Sequence, residues 1–369
     1  MPTARAGLGL RRTDSPTHPA TEGRIVHKRP LLLLLLTLCG CRGPVQVCTS
    51  ARVTTELPPT HATGPVCPQV VVPGTGARIA IIDVDGLLLN YPMVGMGSMG
   101  ENPVALFRER LEAAAADPCV RAVVVRINSH GGGVTASDIM RRDLLAFKAR
   151  KGVPVVACLM DVAAGGAYYL ATAADQIVAH PTAVTGGIGV ILNLYKLDDT
   201  MALTLNAQSV AIRAGEKIDM GSPLAYAGRE LGDEVDQGRQ LLQEIADEYH
   251  RRFIEAVQSS RPVNDPTEAI YDGRVFTAPT ALAYGLVDRL GYVDDAVALA
   301  RDLASAPGAC VVLYHRSNDR ARTLYAVTPN VPLQSTLLPM SVPGLERSKL
   351  PTFLYLWQPE PSMERLGGR

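Results

Sequence analysis

From Ala77 onward the chain alternates between two hydrophobic patterns. Ile79–Val84, Ala122–Ile127 and Val153–Leu159 are short, nearly uninterrupted apolar runs. That pattern predicts strands buried on both faces of a parallel sheet. Between them, apolar residues recur at helical spacing. Pro103–Ala116 places Leu106, Leu111 and neighbouring alanines on one face, and a second helix is predicted near 137–151. Small residues at 163–167 open a helix reaching about Ala173. Short strands are expected near 176–179, 188–193 and 208–213. Residues 224–259 read as mostly helical, with Leu241, Leu242 and Ile245 turned inward, and 277–305 as helix, strand, helix. Strands alternating with helices predict a layered α/β domain with a parallel sheet core flanked by helices.

The ends depart from this pattern. Residues 24–41 read RIVHKRPLLLLLLTLCGC: a basic stretch, an eight-residue apolar run from Leu31 to Leu38, then small residues and cysteines. The run is too short to span a bilayer and suits an export leader. The ending resembles a bacterial lipobox, which makes Cys41 the expected lipidated residue. The organisation expected is therefore a lipoprotein-type signal peptide over 1–40, a Pro- and Thr-rich tether over 41–76, a folded domain over 77–306 and a loosely structured extension over 307–369. The extension carries one apolar patch, Phe353–Trp357, that reads as a docking segment. The expected location is the bacterial cell envelope, lipid-anchored and facing the periplasm or exterior. Arg42 after Cys41 favours the outer membrane. Cys48 and Cys67 read equally as a disulfide or as two free thiols. Cys158, inside an apolar run, reads as a small buried hydrophobe.

Composition narrows the function class. Of 369 residues 47% are apolar and 20% charged, which excludes a wholly disordered or coiled-coil chain. Thirty-six basic groups balance thirty-six acidic ones, which argues against a dedicated nucleic-acid binder. Residues 1–40 hold six basic and two acidic residues, so the body is mildly acidic behind a basic leader. No clustered Cys and His pattern suggests a metal site, and no cofactor is implied.

Two segments carry candidate chemistry. Asn128-Ser129-His130-Gly131-Gly132-Gly133 lies between a predicted strand and helix. Glycines there let backbone N–H groups turn toward an oxyanion. The Gly-Lys-Ser/Thr ending of a phosphate loop is absent. Ala163-Ala164-Gly165-Gly166-Ala167-Tyr168-Tyr169 is a second strand-to-helix turn of small residues. Asp175 reads as a structural brace, Tyr168 and Tyr169 as core or groove residues, and Arg274 as a structural ion pair.

Together these segments resemble the signal peptide peptidase A (SppA) family of serine peptidases in the ClpP/crotonase superfamily. The resemblance covers about residues 77–306. Arg126–Gly133 is similar to R-x-N-S-P-G-G-G, and Ala171–Asp175 to S-A-A-D. Thr185–Val190 is similar to T-G-S-I-G-V, and Asp219–Pro223 to the segment after the family's lysine. Asp272–Thr277 and Gly285–Gly291 resemble D-G-R-V-F-T and G-L-V-D-x-L-G. The fold implied is a ClpP/crotonase-like core of repeated ββα units, usually assembled into homo-oligomeric rings. The activity implied is peptide cleavage by a Ser–Lys dyad, with backbone N–H groups steadying the oxyanion.

The polar members of that machinery are not in place. The family's nucleophile position is Gly165, its lysine position is Ile218, and its accessory serine position is Gly187. The oxyanion and groove positions Gly131, Gly132, Gly133 and Gly166 are retained. Ser129, His130 and Lys217 are the candidate substitutes, though a one-residue offset turns Lys217 to the opposite face of an extended segment. One expectation is a pseudo-peptidase that binds peptide or protein segments. The other is an active peptidase with a displaced dyad. Acyl-CoA chemistry of the crotonase type needs no dyad, but an exported protein meets little CoA.

Overall fold

The computed structural model describes residues 65–91, 101–192, 214, 233–264, 269–316, 323–326 and 354–357. The three apolar runs form the middle of one sheet: β2 is Arg78–Asp85, β3 is Val120–Ser129 and β5 is Val155–Ala164. They pair in parallel, β2 with β3 and β3 with β5. Side chains alternate between the two faces. Ala80, Ile82 and Val125 enter one cluster; Ile79, Ile81, Val124, Val156 and Cys158 enter the other. Both faces are buried, which explains why these strands lack polar alternation. Cys158 is fully buried, as expected, and burial pushes its thiol up to about 12.

Helices cover the faces. α1, Pro103–Ala116, starts where the Asn102 side chain accepts from the N–H of Val104 at 3.0 Å, with proline in its first turn. β4, Gly131–Gly133, runs straight into α2, Val134–Lys151, which stops at Gly152 in the left-handed conformation. α3 is Gly166–Ala171, directly after β5. Tyr168 and Tyr169 on it are buried in the core. β6 is Gln176–Ala179 and β7 is Val184–Gly186. The long helix α4, Asp233–Ser260, buries Phe253 and Val257 against the first cluster. β8 (Val275–Thr277), α5 (Ala278–Ala283), β9 (Arg289–Leu290) and α6 (Val293–Leu303) follow. Val293, Ala296 and Val297 of α6 seal the second cluster. Asp175 braces the α2–β5 junction: it accepts from the Val155 N–H at 2.8 Å and pairs with Lys148. Arg274 pairs with Asp272 at the exposed surface.

The sheet is larger than the sequence boundaries implied. β10, Cys310–Arg316, lies beside β2 in parallel, and β1, Val66–Val72, closes the edge antiparallel to β10. The sheet order is β1-β10-β2-β3-β5-β6-β9, with β7 branching from β5 and paired with β8. The tether therefore cannot extend to residue 76, nor the fold stop at 306. Cys67 is a free thiol in β1, and Cys48 lies outside the described residues. Of the strand expected over 188–193, the described residues 188–192 form none. β7 is displaced to 184–186, and only Ile191 makes an isolated bridge. The strand expected at 208–213 and the start of the helix at 224–232 lie outside the described residues.

One polar contact ties the centre together. Asp83 on β2 and Arg126 on β3 are register partners, 3% and 4% exposed, joined by two bonds of 2.7 and 2.8 Å. Arg126 also donates to the carbonyls of Leu324 and Ala326, fastening a segment that follows β10. Removing one member of such a pair strands a buried charge. Asp83→Ala is expected to lower stability by about 3–5 kcal/mol in urea unfolding. A loss below about 1 kcal/mol, the size of a surface pair, would contradict that account.

Candidate functional site

The two glycine-bearing turns meet at the C-terminal ends of β3 and β5. The carboxyl ends of parallel strands are where such sheets place ligands. A Cβ built on Gly131 would lie 2.7 Å from the Gly166 nitrogen, and one on Gly187 would lie 3.1 Å from the Gly165 nitrogen. Gly131, Gly132, Gly133, Gly165, Gly166 and Gly187 thus lie together around one cleft. Ile218, Lys217 and Cys41 lie outside the described residues.

Gly165 holds the sharpest conformation. It joins β5 to α3 at φ 55° and ψ −125°, donates to the Gly186 carbonyl and accepts from the Tyr169 N–H, both at 2.9 Å. A strained strand-to-helix turn of this kind is how a nucleophile elbow lifts its side chain above a sheet. Here the elbow has no side chain.

Ser129 and His130, the candidate substitutes among the described residues, are engaged elsewhere. Ser129 is fully buried at the end of β3, and its Oγ accepts from the Gly131 N–H at 3.1 Å, bracing the turn from beneath. The His130 ring is half-buried and stacks on Trp357, with centroids 5.8 Å apart and planes 15° from parallel. Burial pushes His130 below its ordinary value. Neither side chain has a described contact with the other.

The cleft is occupied by the chain itself. β11, Leu354–Leu356, pairs antiparallel with β4, with Tyr355 opposite Gly132. Leu88 lies along the other edge of β4, its N–H and carbonyl bonded to Gly131 and Gly133 at 3.0 and 2.8 Å. On the far side of β11, Leu354 and Ile191 exchange two backbone bonds of 2.9 Å. The Trp357 N–H reaches the His130 carbonyl at 3.0 Å. The segment is therefore inserted as a strand between two walls. A Cβ on Gly165 would approach the Tyr355 carbonyl carbon to 2.7 Å and its oxygen more closely still. Gly131 would collide with the same oxygen. The Tyr355 peptide group thus lies where a side chain at the elbow would project.

The Tyr355 side chain fills a deep aromatic pocket. It is 0% exposed, 4.8 Å from Phe253 and 5.3 Å from Tyr169 between ring centroids. Its hydroxyl donates to the Tyr249 carbonyl at 2.6 Å. Burial raises the Tyr355 hydroxyl above its ordinary value, so it stays a donor. Tyr169 is held in turn by Asp138 at 2.9 Å, which also receives Arg252, while Arg141 covers its ring. Leu356 packs on Leu87 and Leu89. The sequence marks Tyr169 as a core or groove residue, whereas Tyr249 and Phe253 were not foreseen. The usable signal was the apolar patch at 353–357, which marked a docking segment but not its address.

The energetics of docking are balanced. Burying an aromatic ring of roughly 150–250 Å² returns about 4–6 kcal/mol at ~25 cal/mol per Å². Ordering four residues costs about 4–8 kcal/mol in backbone entropy. Strand hydrogen bonds and ring contacts add about 0.5–1.5 kcal/mol each. The segment docks, but a competing strand has comparable interactions to offer.

Residues 147–306 match the model of peptidase family S49. The second half of the folded region is thus similar to peptidase family S49. It is 35% identical over 231 residues to Protease 4 of Salmonella typhi, covering 62% of this chain and 35% of that one. It is 32% identical over 204 residues to the chloroplastic serine protease SPPA of Arabidopsis thaliana, covering 54% of this chain and 28% of that one. It is also 25% identical over 238 residues to the "Putative signal peptide peptidase SppA" of Enterococcus faecium, covering 64% of this chain and 67% of that one. The chain spans about a third of the length of the first two relatives. The S49 match includes the elbow at Gly165 and the pocket residues Tyr169, Tyr249 and Phe253, while β4, Leu88 and β11 lie outside it. The sheet, parallel for the most part and flanked by helices, is the ClpP/crotonase-like architecture of the S49 family.

Gly165→Ala tests the close approach. At φ 55° a Cβ costs about 1–3 kcal/mol in strain, and it also collides with Tyr355. The expected result is lower stability together with a red shift of Trp357, the single tryptophan. Gly152 has φ 67° but nothing within 4 Å of its Cβ position. Gly152→Ala should therefore lower stability while leaving Trp357 emission unchanged. A shift in both variants, or in neither, would contradict a clash specific to the cleft.

Proposed function

We propose that this S49-family protein binds extended peptide segments in its cleft without cutting them by serine chemistry. The observation carrying this reading is the side-chain-free elbow at Gly165. The backbone geometry that presents a nucleophile is present, but residue 165 has no atom to attack a carbonyl. The surrounding cleft supports strand recognition, because β4 and Ile191 offer backbone bonds to both edges of an inserted chain. A displaced dyad would need Ser129 to leave its buried bond with Gly131 and to find a base. Losing a catalytic unit of this kind costs on the order of 10⁶ in kcat, leaving nothing for selection to hold as a peptidase of the usual mechanism.

The chain should give no turnover of fluorogenic peptides or casein and no labelling by a serine-directed fluorophosphonate. Turnover abolished by Ser129→Ala or Lys217→Ala would overturn the reading and establish a displaced dyad.

We further propose that the protein is exported and held at a membrane by lipid on Cys41. The basic, apolar and small-residue order of 24–41 supports this. Among the described residues no helix is long and apolar enough to cross a membrane. Cys41→Ala should abolish incorporation of labelled palmitate and move the protein from the membrane fraction to the soluble one. Unchanged membrane association without lipid would reject the anchor.

A further inference from the structure

The best-built feature of the molecule is the seat of residues 354–357. We propose that this segment is a built-in competitive ligand of the cleft, and that the external ligands it yields to are extended segments with an aromatic residue seated where Tyr355 lies. The inference rests on the peptide-binding reading above and specifies its ligand.

Three independent features of the seat support it. First, the segment uses the cleft as a strand receptor would be used. Tyr355 is in register with Gly132, Trp357 bonds to His130, and Leu354 bonds to Ile191 on the opposite edge. Backbone bonds of this kind accept any sequence, so they supply affinity and not selectivity. Second, selectivity has an evident source in the Tyr355 pocket. Phe253 and Tyr169 provide the aromatic walls, and the Tyr249 carbonyl accepts the hydroxyl at the base. A buried carbonyl placed for a donor favours tyrosine over an aliphatic side chain, which would leave it without that bond. Trp357 adds a second aromatic contact on His130 two residues later, on the same side of an extended strand. Third, the cleft admits the segment only because residues 131 and 165 lack side chains. The absent elbow side chain that argues against cutting is thus the same feature that makes room for a resident strand.

A ligand covalently joined to its site competes at a high effective concentration. An external peptide of equal intrinsic affinity therefore meets a cleft that is mostly filled, and its apparent affinity falls by the fraction open.

The test uses the full chain and a labelled peptide with the sequence of residues 351–360, PTFLYLWQPE. Binding is measured by fluorescence anisotropy to the wild-type chain and to a full-length Tyr355→Gly, Trp357→Gly variant whose fold is checked by circular dichroism. The variant should bind the peptide at least about tenfold more tightly than wild type. A peptide carrying Tyr355→Ala should bind neither. In a second measurement on the unaltered chain, the same peptide with Trp357→Phe should shift emission of the protein's own tryptophan to the red as it displaces the segment. That resting emission should not change on dilution. Equal binding to both chains, binding to neither, or equal binding of the Tyr355→Ala peptide would overturn the proposal. Emission that changes on dilution would overturn an intramolecular seat in favour of a second copy. Mass spectrometry of the peptide separates the two readings. A cut peptide defeats the non-cutting function while leaving the competition result standing; an intact peptide with no competition defeats only the built-in ligand.

Discussion

The cleft depends on a steric constraint: three backbones come closer than any side chain permits. The β3–β4 turn, the elbow after β5 and the inserted β11 share a space in which Cβ atoms at 131 or 165 would collide with the Tyr355 carbonyl. The protein interior is close-packed, so such a clash is relieved only by moving whole elements. Gly165 pairs with Gly186, and Gly187 approaches Gly165 from behind. The elbow is consequently fixed by the sheet and cannot retreat from the tail. The position of the C-terminal segment is thus dictated from the middle of the chain, by residues whose contribution is the absence of atoms.

This constraint clarifies the relation between peptidase architecture and peptide binding. A hydrolytic cleft must hold an extended chain, present one carbonyl to backbone donors and aim a nucleophile at it. The first requirement is met by β4 and Ile191, and the elbow conformation needed for the third is kept at Gly165. Residue 165, as glycine, supplies no attacking atom. Binding and attack are separable because they are built from different parts: strand pairing from backbone, attack from one side chain. Glycine at residue 165 is compatible with the strand pairing on both sides and adopts φ 55° without penalty.

How much of this was legible in the sequence follows from the range of each interaction. The strands β2, β3 and β5 were legible because burial on both faces leaves continuous apolar runs. Both glycine turns were legible because small residues bunch where strand passes to helix. The edges were not. β1 lies in a Pro- and Thr-rich stretch and alternates half-exposed residues, as an edge strand does, and its pairing with β10 spans most of the chain. Nothing local distinguishes such a strand from a tether. The substitution of β7 for the expected strand at 188–193 has a similar cause: the apolar residues of Ile188–Leu192 serve core filling at Ile188 and a single bridge at Ile191, which periodicity cannot separate from a strand.

The cleft shows the same division. Its glycine floor could be read, and its occupant only suspected as an apolar patch, because register between residues 132 and 355 is a tertiary property. Ser129 and His130 illustrate the converse, polar residues whose types invite a catalytic reading that their surroundings do not sustain. Ser129 is used as a brace, where losing its oxygen would leave the Gly131 N–H unpaired in a buried turn. His130 contributes a carbonyl and a ring face to the inserted strand. Ser129 and His130 are thus already committed to bracing the turn and holding the inserted strand. A side chain at residue 165 would have to displace the inserted segment first, so a nucleophile there and the Tyr355 peptide group compete for one volume.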